Sequence, residues 1–393
     1  MTTSDVTLRS GAQLAARSFA IDAPADLLDY YAPDGFVWFD HGRGFVASGV
    51  AAVVAPEDAV AFLTAVDHVV TDNRVSRHAG PRAVGALPFT GSGELVVPAL
   101  IVGRDASGSA WRTEIDHVDA PPIVHAIDDS APSEFGILAT TTREQWRAMV
   151  DRSLVDIDRG ALEKIVLARA VNIDADVPFD VPVVLAYLRR SQPGCVVYAD
   201  RGFVGASPEL LVRKAGASVT SRPLAGTGID TAALVGSAKD AHEHQLVVDA
   251  VVRALRSLCT EVHAEGPSLL ELADVSHLAT TITAHTDPAA TSITDLVAAL
   301  HPTPAVAGTP RRAALAAIEA METTPRGRYA GPCGWVDRNG DGEFVVALRG
   351  GEIDGTHAVI HAGAGIVSGS DPDAEWTETQ QKLTPMLQAL VRP

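Results

Sequence analysis

Residues 194–227 read GCVVYADRGFVGASPELLVRKAGASVTSRPLAGT. Apolar runs rich in Val, Leu and aromatic residues are interrupted there by Gly, Asp, Ser and Pro, the residue types that reverse a chain. The stretch reads as three strands joined by turns. Connections this short make antiparallel neighbours, because a parallel pair needs a crossover of a dozen residues or more.

Working outward, EKIVLARAVNI (163–173) is nearly continuous in apolar residues, as a strand buried on both faces is, and VPVVLAYLRRS (181–191) reads as a helix. TTREQWRAMVDRSLVDIDRG (141–160) carries Trp146, Met149, Val150, Leu154 and Ile157 at helical spacing between a Thr cap and Gly160. AKDAHEHQLVVDAVVRALRSLC (238–259) is the longest amphipathic helix candidate, with Leu246, Val247, Ala250, Val251 and Leu255 along its stripe. CGWVDRNGDGEFVVALRG and HAVIHAGAGIV resume the strands before a closing helix that contains AEWTETQQKL (374–383). Upstream, GFVWFDHGRGFVASG and ELVVPALIVGRDASGSAWR read as hairpins, and DAPPIVHAIDDSAPSE (119–134) has the Pro-rich, acidic composition of a linker. The expectation is α+β: two mainly antiparallel sheets packed as a sandwich with helices outside. One large domain would span 1–393, with a variable N-terminal part over 1–130 and a catalytic core over 135–393.

Composition narrows the function. The 393 residues are 47% hydrophobic, enough for a substantial core. Lys plus Arg number 31 against 49 Asp plus Glu, a net charge of −18. That sign opposes phosphate backbones and anionic lipid, so neither nucleic acid nor membrane is an expected partner. No apolar segment follows a basic start and no run approaches about 18 apolar residues, so a cytoplasmic location is expected. Cys195, Cys259 and Cys333 are far apart and form no CxxC pair, which makes them small hydrophobes. Without a heptad seam or an apolar exposed helix, a monomer is expected.

Several short patterns invite chemistry. Gly363, Gly365 and Gly369 give GxGxxxG, not the dinucleotide spacing, and the only helix after them ends the chain. A turn whose amides approach an anion beside a helix N-terminus fits better, and disfavours a nicotinamide oxidoreductase. DRNGDGEF opens like a calcium loop, but Leu348 stands at the twelfth position where a bidentate acid is required, so NGDG is a hairpin turn. Asp240 and Glu243 lie at i, i+3 on one predicted helix, and Glu375 and Glu378 repeat the arrangement on another. One such pair is ordinarily a solvated face; two suggest a site for magnesium, which prefers carboxylate oxygens, with Lys382 one turn on to meet a substrate carboxylate. Lys164 is either a strand-end lysine reaching water or a base whose burial favours the neutral amine. Glu209, after Pro208, is either a turn glutamate or an acid catalyst. Nothing in the spacing joins these two residues.

The motifs EKIVLARAV, GASPELLV, SRPLAGT, DAHEHQLVVDAVV, VSHLATTI, LHPTPAVAGTP, RGRYAGPCGWVD and AGAGIVSGSDPDAEWTETQQKL occur in an order that resembles the chorismate-utilising enzymes, among which the isochorismate synthases are the most similar. The likeness runs from about Thr141 to the C-terminus. It implies an Mg²⁺-dependent, reversible isomerisation of chorismate to isochorismate, by water addition at C2 with loss of the C4 hydroxyl. It implies Glu243 and Glu378 as metal ligands, with Asp240 and Glu375 acting through waters. Lys164 would be the general base and Glu209 the general acid. Gly226 and Thr227 of the AGT turn, His277, Tyr329, Arg349, Gly363 and Lys382 would line the substrate site. Ala225 stands where lysine-nucleophile aminodeoxychorismate synthases carry that lysine. Anthranilate synthase component I typically has Gln at the Lys164 position and uses ammonia. Salicylate synthase keeps the lysine and goes on to eliminate pyruvate; Tyr329 keeps that alternative open. A scaffold retaining the fold without turnover is a third possibility, which the presence of both Lys164 and Glu209 disfavours. The product would feed either menaquinone or siderophore synthesis.

Overall fold

The computed structural model describes residues 14–116, 131–273 and 275–391. Among them, two large sheets and a small three-stranded one carry the chain. From one edge the first sheet runs Phe135–Ala139, Lys164–Ala175, His357–Ile366, Gly350–Asp354, Phe203–Ser207, Val196–Asp200, Phe36–Asp40, Arg43–Ser48, Leu100–Arg104, Ala110–Ile115, Ala15–Ile21 and Asp67–Val70. The second runs Thr260–Ala264, Ile282–His285, Ser218–Arg222, Leu210–Ala215, Gly342–Val346, Pro332–Asp337, Arg82–Ala86, Leu95–Val97 and Ala52–Val54. Of the described pairings only Ala15–Ile21 with Asp67–Val70 is parallel. The α+β expectation holds, and the third sheet, Leu224–Gly228, Ser276–Ala279 and Ser268–Glu271, was not anticipated.

Side-chain alternation explains the layering. Along Phe36–Asp40, Phe36 and Trp38 enter a cluster with Val84, Cys333 and Val345 of the second sheet. Val37 and Phe39 enter another, with Leu185 and Leu188 of the helix Val181–Ser191 and Met386 and Leu390 of the closing helix Pro372–Val391. The helix Ile293–Leu300 lies on the second sheet, Ala238–Leu255 on the small sheet and the edge strand Thr260–Ala264, and Arg311–Met321 on Lys164–Ala175 of the first sheet; their Leu296, Val247 and Ile318 join a third cluster. The helix Arg143–Asp158 starts at a capping box formed by Thr142 and Gln145.

Residues 194–227 hold five strands, not three: Val196–Asp200, Phe203–Ser207, Leu210–Ala215, Ser218–Arg222 and Leu224–Gly228. Two of the four reversals are two-residue hairpins, one with Arg201 and Gly202 at φ 46° and 82°, another with Gly216 at φ 58°. The five strands also divide among all three sheets. Pro208 and Glu209 make the crossing from the first sheet to the second, and this brings Glu209 to the interior.

The N-terminal part is not an appendage. Phe36–Asp40 pairs with Val196–Asp200, and Arg82–Ala86 with Pro332–Asp337, so both sheets need both parts of the chain. Of the expected linker, residues 119–130 lie outside the described residues, and Phe135–Ala139 follows as an edge strand. NGDG forms the hairpin turn between Pro332–Asp337 and Gly342–Val346, as read. Cys195 and Cys333 are buried and Cys259 partly so, all as free thiols.

Candidate active site

Lys164 opens the strand Lys164–Ala175 and is 0% exposed, which rules out a lysine reaching for water. Its Nζ lies 2.9 Å from Glu243 Oε1 on the helix Ala238–Leu255, close enough for an ion pair but not aligned as a hydrogen bond. Burial alone would raise the Glu243 carboxyl; the charge of Lys164, with Lys382 and Lys239 behind it, holds it below the ordinary range.

The neighbouring strand, His357–Ile366, corrects the glycine reading. Gly363 and Gly365 are paired in the sheet with Ala168 and Val166, and only Gly369, at φ 85°, sits in a turn. Their bareness serves a close approach instead of a turn. A Cβ on Gly365 would overlap Glu243 Oε1 and lie 3.0 Å from Glu243 Cδ and 3.1 Å from Lys164 Cε. The AGT segment is likewise strand: Gly226, at φ 74°, marks a register shift where Leu224–Gly228 pairs with Ser276–Ala279.

That shift frames His277. Its Nδ1 lies 3.3 Å from Gly226 O and 3.1 Å from Thr227 Oγ1, and Arg349 Nη2 donates to its Nε2 at 3.0 Å. The imidazole therefore carries its one proton on Nδ1 and is neutral. Burial, then the charges of Arg349 and Lys382, push it well below the usual histidine range. Lys382 Nζ donates to Gly363 O at 3.1 Å and to Glu378 Oε1 at 2.6 Å. Glu209, 3% exposed, is pushed up to about 8 by burial, which outweighs the nearby Lys164 and Lys382. Burial also takes Tyr329 up to about 12.

These residues converge. Glu209, Gly226, Thr227, Glu243, His277, Tyr329, Arg349, Gly363 and Lys382 line one cavity of about 60 Å³. Lys164 stands behind Glu243, and Asp240, Glu375 and Glu378 lie off the wall. Sequence reasoning missed Arg326, His361, Ala305 and Val306 on the same wall. It also missed Lys239, whose Nζ donates to Glu375 Oε1 at 2.8 Å and which feels Glu243 and Asp240 too. Lys239 directly precedes Asp240, but adjacent helix positions diverge, so spacing gave no reason to join them.

The four acids do share one neighbourhood, yet not as a finished metal cluster: among the described residues no three His, Cys, Asp or Glu groups are arranged to hold an ion. Glu243, Glu375 and Glu378 are instead each paired with a lysine. The donor set still suits a hard cation. Glu375 is pushed up to about 7 by burial and by the charge of Glu378, so two helices present carboxylates that three ammonium groups neutralise only in part.

A family model described as chorismate binding enzyme matches residues 112–391. The chain belongs to the chorismate-binding enzymes. Isochorismate synthase DhbC of Bacillus subtilis (strain 168) is 33% identical over 391 residues, 93% of this chain and 95% of that protein. A putative isochorismate synthase MenF of Mycobacterium tuberculosis (strain ATCC 25618 / H37Rv) is 43% identical over 263 residues, 61% of this chain and 70% of that protein. In structure, the menaquinone-specific isochorismate synthase MenF of Escherichia coli superposes with a TM-score of 0.82 at 25% identity, covering 96% of this chain and 95% of that one. The family match begins inside the strand Ala110–Ile115, so most of the N-terminal strands precede it. No helix among the described residues is long and apolar enough to cross a membrane.

Proposed function

We propose that the chain is an isochorismate synthase that interconverts chorismate and isochorismate with Mg²⁺, as a cytoplasmic monomer. The observation that carries the reading is one cavity in which a carboxyl kept protonated, Glu209, shares space with Glu243, the partner of the buried Lys164 behind it, and with two cations. Arg349 and Lys382 bind the substrate's carboxylates, and neutral His277 holds Arg349 in place. Lys164, as the neutral amine, takes a proton from the water that attacks C2. The double bonds shift, the C4–O bond breaks, and Glu209 protonates the departing hydroxyl so that it leaves as water. Glu243 and Glu378, backed by Asp240 and Glu375, would hold Mg²⁺, which supplies positive charge against a substrate carboxylate.

Incubation with chorismate and Mg²⁺, with products separated chromatographically, tests this reading. Isochorismate without pyruvate is expected, and chelation with EDTA is expected to abolish its formation. Stoichiometric pyruvate would move the assignment to salicylate synthase. No product at all would remove the enzymatic reading. Relatives' names point to both menaquinone and 2,3-dihydroxybenzoate routes, and the genes that neighbour this one distinguish them.

The pH profile gives an independent check. Because Glu209 is raised to about 8, it is protonated at neutral pH and loses its proton above that value. Forward kcat/KM is therefore expected to fall on the alkaline side with a midpoint near 8. An alkaline limb unchanged in Glu209→Gln would remove Glu209 as its source.

A further inference from the structure

His361 is used by nothing above, yet it lines the same cavity and is 6% exposed. It stacks on Tyr329 with ring centroids 5.1 Å apart and planes 16° from parallel, so its orientation is held. Burial, then the charge of Arg326, push the imidazole down to about 4, and it is neutral at physiological pH. The Pro325 carbonyl faces the ring and, being able only to accept, places the single proton on the nitrogen it meets. The other nitrogen, Nε2, is buried and has no hydrogen-bond partner among the described residues. That leaves a lone pair without a donor on a residue that lines the cavity, a feature that is costly to keep unless a ligand satisfies it.

We propose that His361 is a specificity residue whose Nε2 accepts a hydrogen bond from the ring hydroxyl of the substrate. The assignment rests on the chorismate reading. Under that reading the ligand carries two carboxylates, an enol ether and one hydroxyl, and the hydroxyl is its only donor. A bare nitrogen lone pair repels carboxylate and enol-ether oxygens. His361 therefore also disfavours bound orientations that turn either carboxylate away from Arg349 and Lys382. Tyr329 acts through His361 here as a positioning residue, since its ring fixes the imidazole plane.

The test uses the full chain and three ligands: chorismate, its 4-deoxy analogue and its 4-O-methyl ether, the last two as competitors. His361→Phe keeps an aromatic ring against Tyr329 and removes the acceptor; His361→Gln restores an acceptor. In the wild type the two analogues are expected to bind about 10- to 100-fold more weakly than chorismate by calorimetry. In His361→Phe that discrimination is expected to collapse, with KM for chorismate raised by a similar factor and kcat changed less; His361→Gln should recover part of it. A folded His361→Phe that still discriminates as the wild type does would overturn the proposal. If the wild type binds chorismate selectively but does not isomerise it, the functional reading fails while this assignment survives. A wild type that binds all three ligands equally overturns the assignment whatever the turnover.

Discussion

Lys164→Met is expected to lose about 10²- to 10⁴-fold in kcat, the range that a positioned general base contributes. It should also unfold more easily. Lys164 is wholly buried, and its removal leaves Glu243 as a carboxylate without its nearest counter-charge in a site only 8% exposed. Breaking a buried pair on one side costs about 3–5 kcal/mol. The double variant Lys164→Met/Glu243→Gln separates the two effects. Neutralising both partners should return much of the stability, read as the midpoint of urea unfolding, and none of the activity. Turnover by Lys164→Met near the wild-type rate would falsify the base assignment. Equal stability of the two variants would show that the ion pair does not matter to folding.

Gly365→Ala is the second large effect, and it comes from a single methyl group. The new Cβ would collide with Glu243 Oε1 and press on Lys164 Cε, both far ends of side chains that can rotate. The sheet is expected to form as before, while Glu243 turns out of its position. Displacement of a catalytic group by about 1 Å is enough for a loss on the order of 10²-fold in kcat/KM. Gly369→Ala is the matched control. It has nothing within 4 Å of its Cβ but a φ of 85°, so it should cost about 1–2 kcal/mol of stability through backbone strain and leave kcat/KM unchanged. Wild-type kcat/KM in Gly365→Ala would mean that the close approach of Glu243 has no part in turnover.

Much of the site was legible because its residues sit in motifs whose chemistry constrains them. Glu209, His277, Arg349 and Lys382 were named from the sequence and line one cavity. Helices with strong periodicity, such as Ala238–Leu255 and Val181–Ser191, were also found close to their bounds. What escaped had physical reasons. Glycines at 363 and 365 read as a turn because turns are their commonest use; a strand stripped of side chains so that a carboxylate can approach looks the same in one dimension. The lysine partners of the acids could not be inferred, since Lys239 meets Glu375 across 136 positions. His361 lies within an apolar strand, where a lone histidine is unremarkable until its empty nitrogen is seen. The interleaving of early and late strands was equally hidden, because hydrophobic alternation specifies a face and not a neighbour.

That interleaving bears on how the protein is made. The strand His357–Ile366, made long after Lys164–Ala175, fits between Lys164–Ala175 and Gly350–Asp354 near one end of the first sheet. Until it arrives, Lys164–Ala175 lacks one of its hydrogen-bonded flanks, and the nascent chain carries a nearly all-apolar ribbon with nowhere to dock. Such ribbons invite pairing between molecules. Synthesis of this protein should therefore lean on holdase protection late in translation, and fragments ending before residue 357 should accumulate as inclusion bodies.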